Sequence, residues 1–135
     1  MDKQKVLLVE DEPSLTAMYQ AVFRETPYEL LATKDAKSGS ELAEKELPKL
    51  ILLDIIIPRE DGKVVEFNKR VGFELLAKLK KNPKTKNIPV IVLTNLDSPE
   101  DRAKAAKLGS VQYLIKANFL PKEVVDQVSK ILKKK

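Results

Sequence analysis

Residues 50–58 read LILLDIIIP, an apolar run with a single carboxylate, Asp54, in its middle. The residues before Asp54 show no polar alternation, and strands that are apolar on both sides are typical of a parallel sheet covered by helices on both faces. Similar runs occur at 6–9 (VLLV), 90–93 (VIVL) and 111–115 (VQYLI), with a weaker one at 28–33 (YELLAT). The sequence therefore predicts a parallel sheet whose third strand ends at a carboxylate.

Segments with helical spacing separate these runs. After Pro13 and again after Pro121, apolar residues recur at the i, i+3, i+4 intervals of an amphipathic helix, and proline is favoured in a first helical turn. Ser98-Pro99-Glu100 adds a capping residue and an acidic first turn. The predicted helices cover 15–23, 38–46, 72–79, 99–108 and 124–132. Five strands alternating with five helices predict one doubly wound α/β domain with right-handed crossovers.

The composition restricts the possible chemistry. The chain has 135 residues, of which 43% are hydrophobic, and this is enough for one aliphatic core. It has no cysteine and no histidine, which excludes disulfides, the usual zinc sites, thiol nucleophiles and histidine bases. With neither a transmembrane segment nor an apolar leader in the polar start MDKQK, the sequence predicts a cytoplasmic protein.

The formal charge of +5 is unevenly distributed. Residues 116–135 hold six lysines against two carboxylates, and residues 62–71 carry a further surplus of +2. Lysines that end a helix favour its dipole and are usually solvated, although a basic surface also suits a protein partner. Because no basic cluster is interleaved with aromatic residues, we do not expect a nucleic-acid partner.

Polar residues follow four of the predicted strands. Glu10 and Asp11 come after the first strand, Asp54 after the third, Thr94 after the fourth and Lys116 after the fifth. The carboxyl ends of neighbouring parallel strands form one crevice in which ligands bind. We therefore expect three carboxylates, a hydroxyl and an ammonium group to converge there.

This set of groups suits phosphoryl transfer. Crowded carboxylates raise one another's pKa unless a cation joins them, and oxygen ligands of this kind favour Mg²⁺. An aspartate that attacks phosphorus needs the developing charge to be relieved, a task for which Mg²⁺ and Lys116 are suited, while Thr94 is placed to hydrogen-bond the transferred group. Asp54 would then become an acyl phosphate.

Taken together, these residues resemble the receiver domain of two-component response regulators, of the single-domain type. The resemblance covers essentially the whole chain, 1–135. It rests on Glu10-Asp11, LLDIIIP around Asp54, Asp61-Gly62, NIPVI leading to Thr94, and Tyr113 three residues before Lys116. It implies a flavodoxin-like fold with strand order 2-1-3-4-5.

The resemblance also implies a function for each site residue. Asp54 would accept a phosphoryl group from a phosphohistidine of a histidine kinase or histidine phosphotransfer protein. Mg²⁺ would be bound by Glu10, Asp11, Asp54 and the backbone carbonyl of Ile56. The domain would be a signalling phosphoacceptor with slow autodephosphorylation rather than a conventional enzyme.

A conformational switch is implied as well. Thr94 would move toward phosphorylated Asp54, and Tyr113 would rotate inward into the space that Thr94 leaves. The face formed by the fourth helix, the fifth strand and the fifth helix would then bind a downstream protein. The sequence leaves open whether phosphorylation also produces a homodimer.

Three features depart from the family pattern. Ala117 replaces the proline that usually follows the lysine and fixes a cis peptide bond there. Because a cis bond before any other residue is costly, the local geometry of Lys116 is expected to differ from that of the family. Asn95 replaces a small residue after Thr94, so autodephosphorylation is expected to change, in either direction. Residues 63–71 resemble an insertion in the loop after the third strand, and Val64, Val65 and Phe67 suit a flap over the site, a partner contact or a tolerated surface loop.

Other interpretations stay open at this point. Glu10-Asp11 could cap the first helix, and Tyr113 could simply pack in an edge strand. A haloacid dehalogenase-like phosphatase also uses an aspartate with Mg²⁺, but Asp54-Ile55-Ile56 lacks the second carboxylate of its D-x-D motif. A pseudo-receiver that binds partners independently of phosphate is the main alternative.

Overall fold

Five parallel strands and five helices alternate in the computed structural model, which describes residues 3–65 and 69–133. The strands are β1 (Gln4–Val9), β2 (Tyr28–Thr33), β3 (Leu50–Leu53), β4 (Val90–Thr94) and β5 (Gln112–Ile115). The helices are α1 (Pro13–Phe23), α2 (Ala36–Glu46), α3 (Val71–Lys81), α4 (Pro99–Lys107) and α5 (Pro121–Lys133). The strand order is β2-β1-β3-β4-β5, which confirms the predicted fold.

The sheet has a separate core on each face. Alternate strand residues such as Leu7 and Ile51 pack with α2, α3 and α4, whereas their neighbours, such as Leu8 and Leu52, pack with α1 and α5. All four residues of β3 are fully buried. The uninterrupted apolar run that predicted a covered parallel strand is thus explained by burial on both faces.

Local signals set most helix boundaries. Pro13 is the first residue of α1, and Ser98 caps α4 by accepting a hydrogen bond from the backbone N–H of Asp101 at 3.0 Å. Helix α2 begins two residues before the predicted Ser38, because the Asp35 carboxylate accepts a hydrogen bond from the Ser38 N–H at 2.7 Å. Of the described helices, none is both long and apolar enough to cross a membrane.

The long connection between β3 and α3 contains the predicted insertion. Its proposed last residue, Val71, is buried and forms the first residue of α3, so the irregular segment ends at Arg70. Val64 is largely exposed, whereas Val65 contributes to the wall of the site at the carboxyl edge. Phe67, which we grouped with these two valines, lies outside the described residues.

Candidate functional site

The carboxyl edge of the sheet holds a cleft of about 480 Å³ that contains the predicted residues. Glu10 and Asp54 directly follow β1 and β3, Thr94 ends β4, and Lys116 directly follows β5. All four line the cleft together with Asp11. The structure therefore brings together groups that are up to 106 positions apart in the chain.

Three carboxylates form a compact acidic cluster in this cleft. Each of Glu10, Asp11 and Asp54 offers an oxygen within 4.8 Å of the others. Burial, and then the negative charge of Asp54, raises the pKa of both Glu10 and Asp11. Oxygen donors that repel one another are the type of set that a hard divalent cation joins, so the residues fit Mg²⁺.

Lys116 compensates part of this negative charge. Its Nζ donates to Asp54 Oδ2 at 2.6 Å and also to Glu10 Oε1. Burial alone would lower the pKa of the Lys116 ammonium, but the adjacent Asp54 and Glu10 raise it above its ordinary value. Lys116 is therefore a fixed positive charge next to the carboxylate of Asp54.

Backbone hydrogen bonds fix both the side chain and the main chain of Asp54. The Ile56 N–H donates to Asp54 Oδ1 at 3.2 Å, and the Asp54 N–H donates to the Val9 carbonyl of β1. The Asp54 side chain is only 9% exposed. One oxygen thus faces Lys116 while the other is held by the turn that follows the strand.

Gly72 is a site-supporting residue that our sequence interpretation missed. Its N–H donates to the Ile55 carbonyl at 2.8 Å, and a Cβ at this position would lie 2.4 Å from the Asp54 carbonyl oxygen and 2.5 Å from the Ile55 Cα. Only glycine permits this approach of α3 to the backbone of Asp54. A glycine in a first helical turn, where most residues are better helix formers, was the available signal.

The two predicted switch residues lie on adjacent strands. Thr94 is buried, and its hydroxyl oxygen accepts a hydrogen bond from the Leu96 N–H at 3.4 Å. Tyr113 is half-buried and donates its hydroxyl hydrogen to the Leu96 carbonyl at 2.8 Å, while the Arg102 guanidinium lies 5.1 Å from its ring centroid. Burial raises the pKa of Tyr113 to about 12, so this hydroxyl keeps its proton. Tyr113 therefore does more than pack in an edge strand.

The hypothesis that Glu10-Asp11 caps α1 is supported by a contact of Glu10 but by none of Asp11. The residue at the N-cap of α1 is Glu12, whose side chain makes no capping bond. Glu10 contributes instead, because its Oε2 accepts a hydrogen bond from the Glu12 N–H at 3.1 Å. The Asp11 carboxylate belongs to the acidic cluster and not to the helix end.

Two further contacts tie the loops around the cleft together. The Ala117 N–H donates to Asn95 Oδ1 at 2.9 Å, and no peptide bond among the described residues is cis. Arg70 forms an ion pair with the buried Asp101, at 3.3 Å from Nε to Oδ1. The β3–α3 connection and both loops beside Thr94 and Lys116 are thereby joined.

Comparison with known proteins agrees with this geometry. A family model described as the response regulator receiver domain matches residues 6–129. The chain is 30% identical over 131 residues to the alkaline phosphatase synthesis transcriptional regulatory protein PhoP of Bacillus subtilis, in an alignment that covers 97% of this chain and 49% of PhoP. A similar identity, 30% over 112 residues, relates 83% of this chain to 22% of response regulator PleD of Caulobacter vibrioides. The chain thus spans half or less of the length of these curated relatives.

Solved structures match over nearly the whole chain. A putative response regulator from Chloroflexus aurantiacus has a TM-score of 0.81 and 25% identity, with 98% of this chain and 100% of that one covered. The Mn²⁺-bound form of response regulator Rcp1 has a TM-score of 0.73 and 31% identity, with 95% and 91% covered. From the family match, the fold and the site together, the chain belongs to the receiver domains of the response regulators of two-component signalling.

Proposed function

We propose that this receiver domain is a phosphorylation-dependent switch whose phosphoacceptor is Asp54. The observation that carries the proposal is the contact between Lys116 Nζ and Asp54 Oδ2 inside the acidic cluster. This arrangement pairs a nucleophilic carboxylate with a fixed cation, on a cleft that opens to solvent. The donor we propose is a phosphohistidine of a histidine kinase or phosphotransfer protein in the cytoplasm; the 135 residues of this chain contain no histidine that could supply it.

In the proposed transfer, one bond to phosphorus forms as another breaks. A carboxylate oxygen of Asp54 attacks phosphorus, and the bond between phosphorus and the donor's imidazole nitrogen breaks. The electron pair of that bond stays on the imidazole, and Asp54 becomes an acyl phosphate. Lys116 stabilises the charge that develops on the phosphoryl oxygens, and the Thr94 hydroxyl donates a hydrogen bond to one of them.

Glu10, Asp11, Asp54 and the carbonyl of Ile56 are the groups that would hold Mg²⁺. When bound, the ion supplies positive charge that offsets the repulsion between Asp54 and an incoming phosphoryl group. The pKa of Glu10 and Asp11 is raised first by burial and then by the negative charge of Asp54, and a bound cation would offset the second of these two effects. The Mn²⁺-bound form of Rcp1 supports a divalent cation for a receiver of this type.

The output is a change on the face formed by α4, β5 and α5. Phosphorylation draws Thr94 toward Asp54, and the Tyr113 ring turns into the space that is released. Because Tyr113 donates to the Leu96 carbonyl, the rotation breaks a bond that holds the β4–α4 loop. A downstream protein recognises the rearranged face.

Phosphorylation of the isolated domain tests the proposal. The protein is incubated with Mg²⁺ and a small phosphoramidate or acyl phosphate donor, and intact mass is recorded. We expect one added phosphoryl group in the wild type and none in Asp54→Ala. Asp61→Ala is the matched control, because Asp61 is an exposed aspartate of the same connection, and this variant should be phosphorylated like the wild type.

Two outcomes contradict the proposal. If folded wild-type protein gains no phosphoryl group with any donor, the chain is a phosphate-independent pseudo-receiver. Sustained release of phosphate from unrelated monoesters would identify a phosphatase instead. In either case the family assignment, which rests on the comparisons and the fold, is unaffected.

A further inference from the structure

One hydrogen bond joins the two loops that carry Thr94 and Lys116. The Ala117 N–H donates to Asn95 Oδ1 at 2.9 Å. Asn95 directly follows Thr94, and Ala117 directly follows Lys116. The bond therefore connects the immediate neighbours of two site residues that are 22 positions apart in the chain.

This hydrogen bond lies just beyond the end of the pairing between β4 and β5. The parallel pairing of β4 with β5 ends at Thr94 and Ile115, which are Cα partners in the register. Lys116 is the first residue beyond this pairing, and it begins a 3₁₀ turn over Lys116–Asn118. With backbone pairing on one side and the Asn95 bond on the other, the main chain of Lys116 is fixed on both sides.

The Ala117 N–H needs a partner from outside its own turn. The 3₁₀ turn is closed by the Phe119 N–H, which donates to the Lys116 carbonyl at 3.3 Å. The N–H groups at the start of a helical turn have no partner within the turn. The Asn95 side chain supplies one, and it does so from the wall of the cleft.

The position of the Lys116 backbone matters because it fixes one end of the flexible four-carbon side chain that carries the ammonium. That ammonium reaches Asp54 Oδ2 at 2.6 Å and Glu10 as well, and its side chain is only 10% exposed. A shift of the Lys116 backbone changes which side-chain conformations bring the ammonium to both carboxylates, so the time that Lys116 spends in this contact falls. Two exposed residues, Asn95 and Ala117, thus hold the buried charge of the site in place.

We propose that Asn95 is a positioning residue that holds Lys116 against Asp54 by binding the Ala117 N–H. The effect on phosphorylation rests on the function proposed above, whereas the effect on Lys116 is independent of it. Asn95 acts through Lys116 and does not touch the reacting atoms. Losing one such hydrogen bond slows the phosphorylation of Asp54 by roughly 3- to 10-fold.

Chemical labelling of Lys116 tests the positioning directly. Wild type and Asn95→Ala are treated briefly with an amine-acetylating reagent, and the modification of each lysine is quantified by mass spectrometry. We expect acetylation of Lys116 to rise by roughly 3- to 10-fold in Asn95→Ala, while that of exposed Lys122 stays unchanged. Asn118→Ala, which alters an exposed amide of the same turn, should label like the wild type.

The rate of phosphorylation by a small donor is then measured in the same proteins. Asn95→Ala should be slower than the wild type and should still form the adduct on Asp54. Unchanged Lys116 labelling in folded Asn95→Ala overturns the positioning proposal, and so does a wild-type phosphorylation rate. The absence of an adduct in the wild type itself would contradict the proposed function, and the labelling result would still decide the role of Asn95.

Discussion

Gly72 fixes how closely α3 approaches the phosphoacceptor. The nearest atoms to a hypothetical Cβ at this position are the Asp54 carbonyl oxygen and the Ile55 Cα, both of them backbone atoms that no side-chain rotation can move. A larger residue would push the first turn of α3 away from the strand end. Because the Gly72 N–H also bonds the Ile55 carbonyl, that displacement would disturb the turn that orients Asp54.

We predict that Gly72→Ala lowers the free energy of unfolding by about 1–3 kcal/mol, the range for overpacked positions. Alanine is the better helix former, by about 1 kcal/mol, so a net loss of stability would come from the steric conflict. Phosphorylation of Asp54 should also slow. Urea denaturation and intact mass measure the two effects.

The matched control for this change is Lys78→Ala, on the exposed side of the same helix. Its effect should stay within about 0.5 kcal/mol. A Gly72→Ala variant that is as stable as the wild type and is phosphorylated at the same rate would show that α3 accommodates the methyl group. In that case the close approach would not be required by the site.

The loop between β4 and α4 and the first turn of α4 contact three neighbouring segments of the chain. Asn95 binds the turn after β5, the Leu96 carbonyl accepts from Tyr113, and Asp101 in the first turn of α4 binds Arg70. Arg70 ends the long connection after β3. A displacement of Thr94 toward Asp54 therefore acts on all three neighbouring elements.

The Arg70–Asp101 pair gives this arrangement a dependence on pH. Burial raises the pKa of the Asp101 carboxyl, but hydrogen bonds from Arg70 and Ser98 outweigh it and hold the pKa below its ordinary value. A carboxyl group whose pKa is lower in the folded protein than in the unfolded chain stabilises the folded state at pH values above its unfolded pKa, near 4. This stabilisation is lost as the pH falls through the pKa of the folded state. At neutral pH the stabilisation is complete.

We therefore predict that Asp101→Asn is less stable than the wild type by about 1–3 kcal/mol at pH 7, since the negative charge is lost and an NH2 group replaces one of the two oxygens that accept from Arg70 and Ser98. The difference should shrink as the pH falls below about 4, where the wild-type carboxylate takes up a proton. Denaturant titrations of both proteins across this range measure it.

Asp97→Asn provides the control for that prediction. Asp97 pairs with Arg102 at 2.8 Å, but its side chain is 59% exposed, and exposed pairs contribute about 0–1 kcal/mol. Its removal should therefore change stability little at either pH. A stability gap for Asp101→Asn that persists in acid would show that the ion pair with Arg70 is not its source.

The elements and the acidic cluster could be predicted because their signals are local. The apolar run that ends at Asp54 and the proline that opens α1 at Pro13 each carry the information in neighbouring residues. Parallel topology then brings the strand ends together whatever the detailed packing. This is why the sequence alone predicts that Glu10, Asp54 and Lys116 share one crevice, where the structure has them.

The contacts that were missed depend on how distant segments fit together. Nothing near Arg70 in the sequence indicates that it meets Asp101, 31 positions away. The sequence offers Asn95 and Ala117 only as two separate departures from the family pattern, whereas in the structure they form a single hydrogen-bonded pair. The register between β4 and β5, which brings them together, is a property of the folded sheet.

In three of the five helices, α3, α4 and α5, acidic residues lie in the first turn and lysines in the last turn. Glu100 and Asp101 begin α4 and Lys107 ends it, while lysines also fill the last turns of α3 and α5. Acids at helix N-termini and lysines at C-termini complement the helix dipoles. Residues 78–86 contain five lysines and no acidic residue. Positive charge is therefore concentrated in a third segment, in addition to residues 62–71 and the last helix.

We predict that a divalent cation bound at the acidic cluster stabilises the whole domain. A ligand that binds only the folded state at 100 times its dissociation constant adds about 2.7 kcal/mol, which raises the melting temperature of a domain of this size by about 10 °C. We predict this shift with Mg²⁺, measured by calorimetry against sodium chloride at equal ionic strength.

Asp11→Asn should lose most of the shift, yet without Mg²⁺ it should be at least as stable as the wild type, because it removes one of three crowded charges. Asp97→Asn, which removes an exposed carboxylate outside the cluster, should keep the full shift; an equal response in both variants would mean that Mg²⁺ acts through general screening and that the cluster does not bind it.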